Sequence, residues 1–327
     1  MTALEDRAAW LAERRSGIGG SDIAAIAGIN TAYGSPTSVW ADKVGLRPDL
    51  DLVDWSPSMR FGIALEAAIA TEFTLETGLH VAGEQTLVRH RRMPHHFATV
   101  DGFVLESEQS DIGDALGVFE AKFTNDVWDA VPEHYLAQVQ WQLHCTGYPT
   151  AWLGAAQSRF GRLTYTTFQI DADPARQAEL VAAAETFWND YVLTTTMPPV
   201  DDHPRTAETI ADLWGAARTT PMGDVNFDDL ETELAELKDL KRDIAAKTKL
   251  CERRETALRA RFIRAAELKD LDREAVTEGF VDGELAVSWR HSARTTLDTE
   301  AVRAEHGDRY DRIKTVATLR LHGRYKP

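Results

Sequence analysis

Apolar residues recur with the 3.6-residue period of an α-helix in several stretches of the chain, and a glycine follows most of these stretches. Glycine most readily takes the left-handed conformation after a last helical turn, so these glycines mark helix ends. Helices are therefore predicted from Arg7 up to Gly17, and over Ser21 to Ala27, Ser38 to Val44, Gly62 to Thr77, Pro132 to Thr146 and Ala175 to Leu193.

Short runs rich in β-branched and aromatic residues lie between these helices. A polar turn, Ser107 to Gly113, separates two of the runs, which is typical of a hairpin. The strands predicted in this way are His96 to Leu105, Leu116 to Phe123, Ala151 to Ala156 and Leu163 to Ile170. Residues 1–195 are thus predicted to form a mixed α/β core in which helices flank a mixed sheet.

The rest of the chain has a different pattern. Residues 196–229 are rich in Pro, Thr and Asp and have weak periodicity, which predicts an irregular linker. In residues 230–327 one apolar line repeats every seventh position from Leu237 to Ala265, but its companion line is mostly polar. A coiled-coil seam needs both lines apolar, so we favour one long helix that lies on the body or on a partner. Terminal strands with basic residues, Leu285 to Trp289 and Ala317 to Tyr325, are expected to complete the subunit or an oligomer contact.

Charge is distributed unevenly along the chain. Its 327 residues hold 36 Lys and Arg against 52 Asp and Glu, a formal net charge of −16. Residues 234–270 and 286–327 nevertheless each hold four more bases than acids. Affinity for a nucleic-acid backbone comes from neutralised phosphates, so this balance argues against a general DNA coat and permits a local basic track. The acidic remainder suits a site that concentrates divalent cations.

Composition excludes several other classes of protein. The two cysteines, Cys145 and Cys251, are too few for a disulfide framework, a four-cysteine zinc site or a cysteine-ligated iron–sulfur cluster. Any metal would therefore be held by oxygen or His. No uncharged stretch stays apolar over the ~20 residues of a membrane span, and the N-terminus lacks the apolar segment of a secretory signal. We expect a cytoplasmic protein without a membrane span.

Asp101, Glu120 and Lys122 mark the candidate site, because they fall on two adjacent predicted strands. Side chains alternate along a strand, so Glu120 and Lys122 share one face, and Asp101 joins them if the strands pair. Two carboxylates suit Mg²⁺, and a metal with a nearby ammonium is what phosphodiester cleavage requires. The alternative is an exposed Glu120–Lys122 ion pair on an edge strand.

Two flanking helices add polar residues to this site. Glu66 lies within the apolar stripe of the helix Gly62 to Thr77, where an acid either has a metal or cationic partner or reaches water at the edge of the stripe. The helix after the hairpin places Tyr135, Gln138 and Gln142 on one face. Amides beside carboxylates can orient water or phosphate, and the alternative is a merely solvated helix face.

A glycine-rich turn forms a third flanking feature. Arg14 and Arg15 precede Gly17, Gly19 and Gly20, and a helix is predicted to start at Ser21. Exposed backbone N–H groups at a helix start, with a guanidinium nearby, resemble a phosphate pocket. The alternative is an ordinary helix capped by Ser21.

The neighbouring pair His95-His96 precedes a predicted strand beside Asp101. A ligand role is possible for these imidazoles, but solvated loop histidines are commoner, and solvated histidines are our expectation here.

Taken in order, these motifs resemble the lambda-exonuclease, or YqaJ-like viral recombinase, family of the PD-(D/E)XK nuclease superfamily. The spacing Asp-x18-Glu-x-Lys from Asp101 to Lys122 is the superfamily signature, with Val100 where a Pro often stands. The resemblance covers about residues 7–170 and rests on Trp10, Arg14, GIGGSDIAAIAG (17–28), Trp40, Lys43, Gly45, FGIALE (61–66), VDG (100–102), FEAK (119–122) and HYLAQVQWQL (134–143).

The resemblance implies a fold and a role for each matching residue. The fold would be a restriction-endonuclease-like mixed sheet flanked by helices. Asp101 and Glu120 would be metal ligands, Lys122 the catalytic lysine, Glu66 an accessory acid at the metals and Gln138 an active-site amide. Arg14 and Ser21 match the positions that hold a 5′-terminal phosphate, and Arg15 and Gln142 are expected as further phosphate or DNA contacts.

The resemblance also implies an activity. It is that of a 5′→3′ exonuclease, dependent on Mg²⁺ or Mn²⁺ with two ions per site, which resects linear double-stranded DNA for phage-type recombination. The implied partners are a single-strand annealing protein and further copies of the chain, in a ring trimer by resemblance. The implied location is the cytoplasm, that of the host cell if the protein is phage-encoded. Alternatives are a non-catalytic DNA-end-binding scaffold, an endonuclease of the same fold, and a helical interaction protein dominated by residues 230–270.

Overall fold

The computed structural model of the chain describes residues 12–29, 33–46, 57–159, 161–214, 230–269, 278–281 and 284–288. It divides into two units, Met1–Trp214 and Gly215–Pro327. The first unit holds a mixed α/β core, and the second holds the long helix expected near the C-terminus.

The helices of the first unit agree closely with the periodicity of the sequence. Residues 12–15 are also helical, as the last turn of the first predicted helix. The glycines predicted to end helices, Gly28, Gly45, Gly78 and Gly147, all have left-handed backbone conformations, with φ between 68° and 78°. The helices are α1 (Gly20–Ile26), α2 (Pro36–Lys43), α3 (Pro57–Thr77), α4 (Glu133–Thr146), α5 (Pro174–Phe187) and α6 (Pro204–Trp214).

A five-stranded mixed sheet forms the centre of this unit. From one edge to the other its strands are β1 (His80–Ala82), β4 (Gly102–Leu105), β5 (Gly117–Thr124), β6 (Thr150–Arg159) and β7 (Arg162–Asp171). β5 and β6 pair in parallel, and the other neighbouring strands are antiparallel. A parallel pair needs a long crossover, which α4 provides here. The predicted mixed sheet with flanking helices is confirmed.

One predicted strand is in fact two. The run from His96 to Leu105 divides into β3 (Phe97–Val100) and β4, with Asp101 between them. β3 pairs with β2 (Thr86–Arg89) in a separate two-stranded sheet, whereas β4 pairs with β5. The predicted hairpin is therefore confirmed for β4 and β5, and the chain changes sheets at Asp101.

β5 is buried on both faces because helices cover both sides of the sheet. Phe119 and Ala121 face α3, where the rings of Phe119 and Phe73 are 5.0 Å apart. Val118 faces α4, together with residues of β6. The alternation predicted for β5 thus holds, except that Phe123 at its end is 39% exposed. Charged side chains on the α4 face of β5 must consequently lie inside the protein.

Helix α6 is a correction to the prediction of an irregular linker over residues 196–229. Its buried face is formed in part by Thr206 and Thr209, which are 0% and 2% exposed. The Thr206 hydroxyl donates a hydrogen bond of 2.7 Å to Oγ of Ser35, the residue that caps α2. The helix is amphipathic, but the residues on either side of it are rich in Pro, Thr and Asp, and that composition is the basis of the linker prediction.

The second unit contains the helix α7 (Leu230–Leu268) and the hairpin of β8 (Glu278–Val281) and β9 (Glu284–Ser288). The predicted long helix and the strand predicted near Leu285 are therefore present. The strand predicted over 317–325 lies outside the described residues. Within the described part of the chain, no helix combines the length and the apolar character needed to cross a membrane.

Candidate active site

Asp101 is held at the junction of the two sheets. The antiparallel register that pairs Gly102 with Phe119 brings Asp101 beside Glu120 on β5. Its Oδ2 accepts a hydrogen bond of 2.9 Å from the backbone N–H of Ala121. Burial, followed by the negative charge of Glu120, raises the pKa of Asp101 well above its usual value.

Glu120 is buried on the α4 face of β5, with only 2% of its surface exposed. Its Oε1 accepts hydrogen bonds from Nε2 of Gln138 at 2.6 Å and is 2.5 Å from Nζ of Lys122. Its Oε2 accepts a hydrogen bond of 2.5 Å from Nε2 of Gln142. The amide face of α4 is therefore directed at the carboxylates and is not a solvated face.

Lys122 completes the group as its cation. Burial alone would lower the pKa of Lys122, but the carboxylates of Glu120 and Asp101 outweigh it and raise the pKa above its usual value. The ammonium, whose side chain is 20% exposed, also lies 4.9 Å from the centre of the Tyr135 ring. Since β5 is the middle strand of the sheet, the alternative of an exposed ion pair on an edge strand is wrong.

Glu66 reaches the same site from α3, through the side chain of Gln85. The amide nitrogen of Gln85 donates to Oε2 of Glu66 at 2.7 Å and to Oδ1 of Asp101 at 3.1 Å. Gln85 has φ of +53°, a left-handed conformation that is uncommon outside glycine. Burial raises the pKa of Glu66, while the hydrogen bond from Gln85 acts in the opposite direction. The amide thus joins two carboxylates that would otherwise repel each other.

The donor set fits a divalent cation. Three carboxylates, those of Glu66, Asp101 and Glu120, interact electrostatically with one another, and Lys122 is the cation among them. One ammonium cannot balance the charge of three carboxylates. The ligand atoms that the carboxylates offer are oxygens, which Mg²⁺ and Mn²⁺ prefer. The residues are therefore those that would hold such an ion, with water as a further ligand.

The glycine-rich turn lies directly against this group. A Cβ atom on Gly20 would be 3.5 Å from Cγ of Gln138 and 3.8 Å from Cγ of Gln142. Ser21 is not the cap of the helix, because α1 begins at Gly20 and its N-cap is Gly19. The carboxylate of Asp22 takes the capping role by accepting the N–H of Gly19 at 2.9 Å, which leaves the side chain of Ser21 exposed.

Asp22 also organises the cations beside the turn. Its Oδ2 is 2.6 Å from Nζ of the buried Lys43, and its Oδ1 is 3.2 Å from a guanidinium nitrogen of Arg14. Burial favours the neutral acid, but Lys43 and Arg14 outweigh it and lower the pKa of Asp22. Arg14 is 39% exposed, so its guanidinium is held in place while still open to a ligand.

Gln142 and Arg15, which were predicted to contact DNA, both make hydrogen bonds within the protein. Gln142 is fully buried and donates to Glu120, so its side chain is placed to position that carboxylate. Nε of Arg15 donates a hydrogen bond of 3.2 Å to the backbone oxygen of Asp42, at the end of α2.

Residues 9–149 match the model of the YqaJ-like viral recombinase domain. This part of the chain is therefore similar to the YqaJ-like viral recombinase domain. All the residues of the candidate site, from Arg14 to Gln142, lie within the matched region.

Individual relatives extend the comparison of the YqaJ-like domain. The chain is 25% identical over 316 residues to the uncharacterized protein YqaJ of Bacillus subtilis (strain 168), which covers 96% of this chain and 92% of that protein. The solved alkaline exonuclease LHK-Exo from Laribacter hongkongensis is similar at 21% identity and a TM-score of 0.44, over 57% of this chain and 93% of that one. A phage-related exonuclease from Haemophilus somnus 129PT is similar at 12% identity and a TM-score of 0.38, over 55% and 96%.

Several residues of the YqaJ-like site were not found from the sequence. Gln85 lies in a turn between two short strands, β1 and β2, which have no clear alternation. Asp22 and Lys43 stand within motifs that the resemblance quotes, but no pattern in either motif indicates that they pair. The spacing of Asp22 three residues after Gly19 was the available signal, because an acid at that position caps a helix start.

Proposed function

We propose that the YqaJ-like domain is a 5′→3′ exonuclease that resects ends of double-stranded DNA in recombination, with Mg²⁺ or Mn²⁺ as its cofactor. The observation that carries the proposal is the grouping of Asp101, Glu120 and Lys122 on one face at the centre of the sheet. An isolated ion pair has no need of a second carboxylate beside it, whereas phosphodiester hydrolysis uses all three groups.

Asp101, Glu120 and Glu66 would hold the metal ions, of which we propose two. A bound divalent ion would polarise the phosphoryl oxygen and make a nucleophile available from water. Lys122, whose raised pKa keeps it protonated at neutral pH, would stabilise the negative charge that develops on the phosphate. Gln138 and Gln142 fix the orientation of Glu120.

The 5′ end would be recognised at the glycine-rich turn. Gly20 packs against Gln138, so a terminal phosphate bound by Arg14 and Ser21 would lie next to the group of carboxylates. Arg14 is held by Asp22 and therefore loses little side-chain freedom on binding. Arg15 is a proposed further contact of the DNA strand.

Three features of the biological setting belong to the same proposal. They are a single-strand annealing protein as partner, assembly of the chain into a ring that encloses DNA, and a cytoplasmic location. The basic excess of residues 234–270 and 286–327 supports a positive lining in such a ring. Light scattering at working concentration tests the assembly, and a monomer would contradict it.

The direct test is digestion of linear duplex DNA labelled at one end or the other. With Mg²⁺ the wild-type protein is expected to release nucleotides from the 5′ end, and with EDTA it is expected to release none. The Lys122→Ala variant serves as the catalytic control and should still bind DNA ends. Binding without digestion by the wild-type protein would instead support a DNA-end-binding scaffold, and internal cleavage would support an endonuclease.

Arg14→Ala is expected to reduce the preference for 5′-phosphorylated ends by roughly 10–100-fold, because a charge-assisted hydrogen bond is worth ~1.5–3 kcal/mol. The measurement is the ratio of initial rates on phosphorylated and hydroxyl ends. Arg15→Ala is the matched control, with an expected ratio near that of the wild type. An unchanged ratio in Arg14→Ala would show that the phosphate binds elsewhere.

Gln85→Ala is expected to weaken the apparent affinity for Mg²⁺ by ~10–100-fold, the usual effect of losing a group that orients metal ligands. Without the amide, Glu66 and Asp101 lose the hydrogen-bond donor that joins them. The measurement is the dependence of the nuclease rate on Mg²⁺ concentration, with Gln109→Ala, at an exposed position in the turn between β4 and β5, as the control. A lower rate that saturates at the wild-type Mg²⁺ concentration would contradict this role.

A further inference from the structure

A cluster of histidines lies where the chain enters β3, beside α5. The expectation of solvated loop histidines is wrong for His96, whose side chain is 0% exposed and packs 4.6 Å from the Trp141 ring. His95 is partly buried against the Trp188 ring, at 5.6 Å. The pattern around these histidines did not indicate that α5, which is distant in the sequence, covers them.

Three potential ligand atoms converge in this cluster. Nε2 of His95, Nε2 of His96 and a carboxylate oxygen of Glu185 on α5 all lie within 4.8 Å of one another. Oε1 of Glu185 is 2.7 Å from Nε2 of His95 and 2.9 Å from Nε2 of His96. Two imidazoles and one carboxylate are the protein ligands of zinc sites that keep a fourth position open.

The environment of His96 Nε2 points to a cation. This buried nitrogen makes no hydrogen bond, although the Glu185 oxygen is only 2.9 Å away. The contact therefore lacks the direction that a shared proton requires. A buried polar atom without a hydrogen bond is uncommon and costly, and an ion bound by both residues would give this nitrogen a partner.

Neighbouring groups fix the ligands in the required orientation. Nδ1 of His96 lies 3.2 Å from Nε2 of His144, in a hydrogen bond that occupies the nitrogen pointing away from the cluster. The other oxygen of Glu185, Oε2, accepts a hydrogen bond of 3.3 Å from the amide of Asn189. Such outer partners are what orient histidine and carboxylate ligands in metal sites.

We propose that His95, His96 and Glu185 form a zinc-binding site, separate from the carboxylate site on β5. Imidazole ligands favour zinc over Mg²⁺, which binds oxygen ligands in octahedral geometry. His95 and Glu185 are 25% and 37% exposed at their side chains, so solvent water completes the coordination of the ion.

Zinc at this position would stabilise the segment of His95 and His96, against which the glycine-rich turn packs. The backbone N–H of Ile18 donates a hydrogen bond of 2.7 Å to the carbonyl of His95. A Cβ on Gly17 would lie 2.1 Å from that carbonyl oxygen, so the turn and the histidine segment are packed without space between them. An ion shared with Glu185 would tie α5 to this segment. The proposal of a zinc site is independent of the proposed nuclease activity.

Zinc titration of the full chain tests the proposal. Protein stripped with EDTA and exchanged into chelator-free buffer is titrated with ZnCl₂ in competition with a chromophoric chelator. The Asp101→Asn variant is titrated in parallel to reduce binding at the carboxylate site. Both proteins are expected to bind one zinc ion tightly, to unfold at a higher temperature with zinc, and not to release it to excess Mg²⁺.

The assignment of ligands is tested by substitution. His95→Ala and Glu185→Gln are expected to weaken zinc binding by more than about 100-fold, and Asn189→Ala by roughly 10-fold. His80→Ala is the matched control, with unchanged affinity. Both ligand positions are partly exposed, and unfolding temperatures without zinc verify that the variants fold. No zinc bound by the stripped protein, or unchanged affinity in His95→Ala and Glu185→Gln, would overturn the proposal.

Discussion

The Asp101→Asn variant is expected to lose at least about a thousandfold of nuclease activity while retaining its fold. A metal ion contributes several kcal/mol to stabilising transition-state charge, and each 1.36 kcal/mol corresponds to a factor of ten in rate. Asn keeps the shape of Asp101 but removes its charge and offers only one accepting oxygen. That oxygen cannot serve both Ala121 and Gln85, so one of these two donors loses its partner.

The stability of the Asp101→Asn variant is expected to be unchanged or slightly higher than that of the wild type. Burial and the charge of Glu120 raise the pKa of Asp101, so the ionised carboxylate is unfavourable in the folded protein without a cation. The neutral amide removes this cost, which offsets the lost hydrogen bond. Thermal unfolding in EDTA is therefore expected to be similar to that of the wild type.

Exposed Asp126 provides the matched control, because Asp126→Asn changes the same functional group near the same strand without reaching the carboxylates. It should keep full activity. More than a tenth of the wild-type rate in Asp101→Asn would show that this carboxylate is not a required ligand. A large fall in the unfolding temperature would show that it acts in folding instead.

The part of this site that could be predicted is local in the sequence. Alternation along one strand is enough to place Glu120 and Lys122 on one face and the apolar Phe119 and Ala121 on the other. Asp101 required only the further assumption that two neighbouring strands pair. Helical periodicity is enough to predict the helix faces on which Glu66 and Gln138 lie, but it does not predict the distance between the two helices.

The part that could not be predicted depends on contacts distant in the sequence. Gln85 joins Glu66 to Asp101 from a turn whose flanking strands have three and four residues, too short for a clear period. The separation of β3 from β4 at Asp101 is also invisible in the sequence, because both halves are equally rich in strand-forming residues. A single strand would have continued in one sheet.

Polar residues in buried positions account for most of the other differences. Thr206 and Thr209 lie on the buried face of α6, and the Pro-, Thr- and Asp-rich residues on either side of this helix give its segment the composition of a linker. His96 and Lys43 read as solvent-exposed types, yet they are 0% and 7% exposed. Asp22, on another helix, compensates for the buried charge of Lys43, and His144 on α4 lies within hydrogen-bonding distance of Nδ1 of His96.

Asp22→Asn is expected to reduce the free energy of unfolding by ~3–5 kcal/mol, the usual cost of removing one partner of a buried ion pair. The buried Lys43 would lose the carboxylate that offsets the cost of burying its ammonium, and the turn at Gly19 would lose its charged acceptor. Domains are typically stable by ~5–15 kcal/mol, so this is a large fraction of the total. Urea unfolding at neutral pH is the measurement.

Two further variants separate the ion pair from general effects of substitution. Asp129→Asn, which removes an exposed carboxylate outside the ion pair, should change stability by less than about 0.5 kcal/mol. The double variant Asp22→Asn with Lys43→Met should recover much of the lost stability, because the uncompensated buried charge is removed with its partner. A double variant as unstable as Asp22→Asn would show that the hydrogen bonds of Asp22 matter more than the pairing.

The pH dependence of the same comparison provides an independent test. Lys43 and Arg14 lower the pKa of Asp22 in the folded protein, so its contribution to stability is present above the unfolded pKa of ~3.9. That contribution is lost as the pH falls through the lowered folded pKa, because protonation makes the wild-type residue resemble Asn. The stability difference between wild type and Asp22→Asn should therefore be constant near neutral pH and shrink below about pH 4. A difference that persists undiminished in acid would mean that the ionised carboxylate is not its source.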